Sequence, residues 1–424
     1  MAPRVHTLRN GVRVVADPMD GLQSCALSVV IRGGARWETE ATSGWSHMLE
    51  HMVFKGAGSR SARDIVEAVE SEGGHINAAT GYERTSFQVR CLPDGLPLAV
   101  EILADLVRRP TLDAEDLARE KEVILQEIAE AADAPDDRVF DLAQRQAFGG
   151  DHPLGRPILG EEPTLAPATR DTLAAFHASL YAPERLIVSA AGAVDEGALL
   201  ALAEAAFGDM PASSSAAAEP PAASFRGGAY TEARRLEQAH LVFLLPGVSA
   251  RDPDYFAQRL FAEVLGGGMS SRLFQKAREE QGLAYAIDAY AETYEDVGAV
   301  GIYAGTAARN AAPAARLVAA EIAALAAEVT PAELARAKAQ VKAALFMGRE
   351  SPLNRAEQAA GQLILFDRLF TPEGLAAEIE AVDAAGFKRV GERLLGGRLS
   401  AATVLGPAKA GAAAEAFRGA LAAA

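Results

Sequence analysis

The chain is 424 residues long and carries 41 Lys and Arg against 57 Asp and Glu, a formal net charge of −16. That length exceeds one ordinary domain, and the acidic balance excludes nucleic acid and anionic membrane surfaces as main partners, since both require a basic face. Half of the residues are hydrophobic, enough for a sizeable core, yet no apolar run approaches the roughly 18 residues of a membrane-spanning helix.

In chain order, MAPRVHTLRNGVRVV alternates around an Asn10-Gly11 turn and reads as a strand pair over residues 7–16. It has neither an apolar signal core nor a cleavage pattern, which points to a cytoplasmic location. A further strand is expected over 24–32. Residues 43–55, bounded by Gly44 and Gly56, place Trp45, Met48, Leu49, Met52 and Val53 at helical spacing. Residues 85–91 alternate strictly, with Phe87, Val89 and Cys91 facing one way, as in a half-buried strand. Residues 112–132 follow the candidate caps Thr111 and Asp113 and put Leu117, Ile124 and Ile128 on one stripe of a long helix. The two cysteines, Cys25 and Cys91, read as buried free thiols of a reducing compartment.

Residues 211–225 are rich in Ala, Ser and Pro without periodicity and read as a linker between 1–210 and 226–424. Near-equal halves invite a test for duplication. Aligning Trp45-SHMLEHMVFKG with Phe256-AQRLFAEVLGG on Leu49 and Leu260 superposes apolar positions and closing glycines. Continued, the register places Gly74-HINA near Gly282-LAYA. The halves read as two copies of one α+β unit. His47, Glu50 and His51 of the first correspond to Gln258, Phe261 and Ala262 of the second, so only one copy keeps polar chemistry.

His47 and His51 stand four apart, about 400° around a helix, so both imidazoles project from one face. That spacing lets two ring nitrogens converge on one metal ion at about 2.0–2.1 Å. Glu50 shares the flank; badly placed as a ligand, it is well placed to take a proton from a water at the metal. The H-x-x-E-H order reverses the commoner H-E-x-x-H and follows the same logic. The surrounding helix is apolar, where two histidines and a carboxylate without a partner would be costly. A catalytic zinc takes three protein ligands and leaves a fourth position to water. The segment 119–130 offers Glu120, Glu122, Glu127 and Glu130. Glu120 and Glu127 share a face but lie about 10.5 Å apart along the axis, so one binds metal and the other orients a histidine or contacts substrate. Spacing leaves open which; Glu122 and Glu130 read as solvated.

His47-MLEH-MVFKG, with Glu127 following, resembles the pitrilysin family of zinc peptidases, the inverzincins, and within it the short two-domain branch related to mitochondrial processing peptidase. Further matches in the same order are Gly73-GHINAATGYERTSF, Glu120-KEVILQEI, His152-PLGRPILG and Leu265-GGGMSSRLF. The resemblance implies His47, His51 and Glu127 as ligands of one zinc ion per chain, Glu50 as general base and Glu120 as a carboxylate behind the ligands. It implies an α+β fold of two homologous domains, each a mixed, mainly antiparallel sheet with helices packed on one face, closing as a clamp on an unfolded peptide. Arg278 and Tyr285, seven apart, would bind the substrate carbonyl and stabilise the oxyanion. Gly74-HINAA would be a substrate-binding edge strand, with Asn77 and Ala78 as peptide contacts. The activity so implied is zinc endopeptidase action on unfolded or presequence-like peptides. The competing reading is a catalytically silent scaffold or partner subunit of a heterodimeric processing peptidase. A full residue set in one chain favours a homodimer over a heterodimer.

Overall fold

The structure, a computed structural model, describes residues 3–212 and 217–423; residues 213–216 of the expected linker lie outside these. The described remainder of 211–225 carries no regular secondary structure. The chain forms two compact units, neither continuous in sequence. The first takes Met1–Ile128, Pro157–Pro220 and Phe346–Thr371, and the second takes Ala129–Arg156, Pro221–Leu345 and Pro372–Ala424.

The first unit is built on β1 (Arg4–Thr7), β2 (Arg13–Pro18), β3 (Cys25–Ile31), a short ribbon β4 (Gly56–Ala57) and β5 (Arg60–Ser61), β6 (His75–Thr80), β7 (Thr85–Cys91) and β8 (Leu186–Gly192). Its main sheet runs β1-β2-β8-β3-β7-β6. All neighbours are antiparallel except β2 and β8. β3 and β8 are buried along their whole length, as strands are when both faces are covered. One face, with Leu27, Val29, Phe87 and Val89, meets Met48, Leu49 and Met52 of α1 (Trp45–Val53), Ile65 and Val69 of α2 (Ala62–Ser71), and Ile102 and Leu103 of α3 (Leu96–Arg108).

To that layer the structure adds a cover on the opposite face. The helix Pro352–Phe366 buries Ala356, Ala359, Ala360, Leu363 and Ile364, a stripe at i, i+3, i+4, i+7 and i+8. The last four of these meet Val15, Val30 and Ile187. The seam also holds charge. Arg355 Nε donates to Asp17 Oδ2 at 2.6 Å while its Nη2 reaches Oδ1, and Ser28 donates to Glu357.

The second unit repeats the scheme with β9 (Gly228–Ala233), β10 (Gln238–Gly247), β11 (Ala286–Thr293), β12 (Gly298–Ala307) and β13 (Ala401–Gly406). The order β11-β12-β10-β13-β9, with β13 and β9 parallel and the rest antiparallel, matches β6-β7-β3-β8-β2 strand for strand. Here the helix Pro135–Phe148 packs on β13, β10 and β9. Each sheet is thus covered by one helix from the opposite half of the sequence, opened in both cases by a proline in its first turn. The α+β class and the two homologous domains are as the sequence implies. An offset of 211 carries Leu49 onto Leu260 and the first residue of β6 onto that of β11, so Gly74 corresponds to Tyr285 rather than to Gly282. Among the described residues no helix is long and apolar enough to cross a membrane.

Two stability predictions follow from this architecture. Asp17 is 1% exposed and depends on Arg355 for neutralisation. Arg355→Ala, by leaving that carboxylate buried and unpaired, should cost about 3–5 kcal/mol in denaturant unfolding, and adding Asp17→Asn should return much of it; an unchanged midpoint for the single variant would contradict this. His177 Nε2 donates to Val107 O at 2.9 Å, and burial lowers its pKa from 6.5 to about 4. Between those values the unfolded chain binds the extra proton, so this contribution is full above about pH 6.5 and is lost as pH falls toward 4, by about 3 kcal/mol. His177→Gln, which keeps a donor for Val107, should unfold with a shallower acid dependence than the wild type; parallel pH profiles would count against it.

Candidate metal centre

α1 is fixed at both ends. It starts from Gly44, whose φ of +89° favours glycine and whose added Cβ would fall 2.7 Å from both Gly160 Cα and Leu159 O. Gly160 closes the His152-PLGRPILG segment, which gives that match a steric meaning. Glu38, buried nearby, accepts from Gly44 N at 2.8 Å and Ser46 N at 2.7 Å, satisfying free N-terminal amides and opposing the positive end of the helix dipole. At the far end Lys55 N donates to Met52 O at 3.2 Å, and Gly56 O accepts from Thr111 N at 2.9 Å and Thr111 Oγ1 at 3.1 Å. Thr111 lies just ahead of α4 (Ala114–Asp133), whose first turn is capped by Asp113 through the amides of Glu115 and Asp116. The two helices that carry the ionisable residues are therefore joined beside their charged faces.

His47, His51 and Glu127 are brought together. One ligand atom from each lies within 4.8 Å of the others. His51 Nε2 is 3.5 Å and His47 Nε2 3.8 Å from Glu127 Oε2, and the imidazoles stand with centroids 4.6 Å apart. Donors about 2.1 Å from one tetrahedral centre are about 3.4 Å from each other, so this set fits a zinc-sized ion with small adjustments. Burial, then the neighbouring His51, holds the His47 pKa down to about 4, keeping that ring neutral and able to donate a lone pair at neutral pH. Glu120 takes the other side: its Oε2 is 3.0 Å from His51 Nδ1 and its Oε1 2.7 Å from Lys55 Nζ. In the structure Glu127 lies with the two histidines, whereas Glu120 lies against His51 Nδ1 and Lys55 Nζ. Glu122 and Glu130 are exposed. Glu50 sits between α1 and β6; burial raises its pKa, with Thr80 and His51 pulling it back. Its Oε2 is buried without a protein hydrogen-bond partner, as is the Nδ1 of His47, whose Nε2 is the atom nearest Glu127.

The remaining expected residues are positioned separately. Among the described residues β6 pairs with β7 alone and forms a sheet edge, so alternate main-chain groups are open along it. Asn77 is exposed there, while Ala78 turns inward and packs on the core of the first unit. In the second unit Arg278 lies in a π-helical segment, Phe274–Glu280, with its guanidinium 4.8 Å from the Phe274 ring centroid. Tyr285 is 60% exposed and its amide donates to Gly305 O at 2.8 Å, directly ahead of edge strand β11. At the positions matching His47, Glu50 and His51, Gln258, Phe261 and Ala262 are buried, and Gln258 Oε1 accepts from Val248 N. His152 is structural, bonded to Leu154 N and Pro221 O. Sequence reasoning missed Glu38 and Lys55; the only local cue was a charge flanking each end of α1.

The model for the insulinase family, peptidase family M16, matches residues 13–162, and the one described as the peptidase M16 inactive domain matches 167–341. A Rickettsia bellii protein named an uncharacterised zinc protease is 35% identical over 404 residues, covering 95% of this chain and 97% of its own. Among solved structures, a protease from Helicobacter pylori gives a TM-score of 0.88 at 22% identity over 96% of this chain and 100% of that one. A chain of complex III from Candida albicans gives 0.86 at 18% identity, covering 99% of each. Two duplicated α+β units with an inverted histidine motif define an M16-type metallopeptidase fold. The chain belongs to the M16 (pitrilysin) family, in its short two-domain, processing-peptidase-like branch.

Removing the cap of α1 should be felt directly. Glu38→Ala leaves two buried amides without their acceptor and is expected to lower unfolding stability by about 2–3 kcal/mol. A thermal midpoint equal to the wild type's would show that other groups replace it.

Proposed function

We propose that this protein is a zinc endopeptidase acting on extended, unfolded or presequence-like peptides. The observation that carries the reading is the convergence of His47, His51 and Glu127 beside the half-buried Glu50, whose Oε2 is buried and unpartnered. In this reading the three side chains hold one zinc ion. Bound there, zinc supplies Lewis acidity that polarises the scissile carbonyl and makes water a competent nucleophile at neutral pH. Glu50 accepts the proton of the attacking water and delivers it to the leaving amine. Glu120 holds His51 through Nδ1, which leaves Nε2 free as a donor. The outer edge of β6, around Asn77 and Ala78, takes the peptide as an added strand. Arg278 and Tyr285, both solvent-accessible, contact the substrate carbonyl and its developing negative charge. With ligands and base in one chain, the favoured assembly is a homodimer.

The alternative, a catalytically silent partner subunit, draws on the likeness to a complex III chain and on the second half matching a domain described as inactive. Its strongest point concerns the second unit, where Gln258, Phe261 and Ala262 offer no donor set. The first unit retains every donor, which favours the peptidase.

Metal analysis and cleavage of a denatured fluorogenic peptide test the choice. The wild type should carry one zinc per chain and lose activity to a chelator, and His47→Ala should lose the metal. Glu50→Gln should keep zinc while kcat falls by about 100-fold to 10,000-fold. Undiminished turnover by Glu50→Gln would sink the role given to that residue, and a metal-free, inactive wild type would favour the silent subunit.

A further inference from the structure

Glu120 is 5% exposed, and an ionised carboxylate so buried needs partners for both oxygens. It has them on opposite sides: His51 Nδ1 at 3.0 Å and Lys55 Nζ at 2.7 Å. The geometry points to Lys55 as a positioning residue of the metal centre, one that fixes the Glu120 carboxylate and through it the tautomer and ring plane of His51. This inference rests on the reading of His47, His51 and Glu127 as zinc ligands.

Three features support it. Lys55 lies two residues beyond α1, in the turn that follows it and four residues after His51, where a cation also suits the helix C-terminus. Its backbone is held by Met52 O, and the next residue by Thr111, so the ammonium reaches Glu120 from a fixed origin. Lys121, adjacent to Glu120 in sequence, is committed elsewhere, with Nζ on the carbonyls of Ala166 and Ala168. With Oε1 tied to Lys55, Oε2 faces Nδ1, which carries the proton and leaves the Nε2 lone pair directed toward Glu127 and His47. The same tie removes Glu120 as a rival ligand, because its charge is answered away from the metal.

The test is zinc affinity, measured by competition with a chromophoric chelator at fixed pH and salt, for wild type, Lys55→Met, Lys55→Arg, Glu120→Gln and the Lys55→Met/Glu120→Gln double variant. Lys55→Met should weaken zinc about 10-fold and lower kcat with little change in KM, and Lys55→Arg should recover most of both. In the Glu120→Gln background, removing Lys55 should add little, since the lysine acts through that carboxylate. Should Lys55→Met fail to fold, Lys55→Gln keeps a donor without the charge and carries the same comparison. Wild-type affinity in Lys55→Met, or an equal loss in both backgrounds, overturns the proposal while leaving the peptidase reading intact. A wild type that takes up no zinc overturns both.

Discussion

Everything at the candidate centre follows from one constraint: His47, Glu50, His51, Glu120 and Glu127 project from two helices toward one another, Glu120 buried and the others partly buried. Burial on that scale is tolerable only if each group has a partner or changes its protonation. His51 has Glu120, Glu120 has Lys55, and His47 is kept neutral. Among the described residues, the convergent faces of His47, His51 and Glu127 meet one another at 3.5–3.8 Å, where a cation fits. The anchors around the site read as consequences. Glu38 and the Gly44–Gly160 contact fix where α1 begins, and the Gly56–Thr111 bonds fix α4 beside it. A slip of one residue in either helix would rotate its donors by about 100° and separate the set.

The second unit shows what the same scaffold becomes without that constraint. Its sheet has the same order and strand senses, and its helix Tyr255–Gly266 follows β10 as α1 follows β3. Phe261 fills the core position that corresponds to Glu50, and Gln258 uses its carbonyl oxygen to hold a backbone amide. Topology is therefore common to both units, which differ on this helix in three side chains: His47, Glu50 and His51 against Gln258, Phe261 and Ala262.

How much of this the sequence disclosed depends on the range of each interaction. The histidine pair, the long glutamate helix and the strict alternation of β7 are local and periodic, so they were legible. Which role falls to Glu120 and which to Glu127 came from the family resemblance alone, because spacing along α4 says nothing about which face of His51 each reaches. Glu38 and Gly160 act on α1 from outside it, and no period marks them. The exchange of helices was hidden for a further reason. Strands such as β3 and β8, buried on both faces, lose the alternation that would show a second cover exists, and the covering stripe of Pro352–Phe366 lies more than 150 residues away from either.

That exchange bears on how the first unit is stabilised. The first unit closes its sheet with a helix that arrives only after most of the second unit has been traversed, and it holds that helix by the Arg355–Asp17 pair as well as by apolar contact. Asp17 and Ser28 would be exposed on a sheet left open, where water would serve them. Once covered they require Arg355 and Glu357, and an apolar substitute at either position leaves a buried polar group unanswered. The polar seam therefore acts as a registration device: sliding the helix along the sheet by one turn would move Arg355 about 5.4 Å from Asp17. Purely apolar packing of the alanines at 356, 359 and 360 would resist such a shift far less, since small side chains present a nearly smooth surface. The neutralising pair sets the position, and the alanine stripe lets the helix approach closely enough for the pair to form.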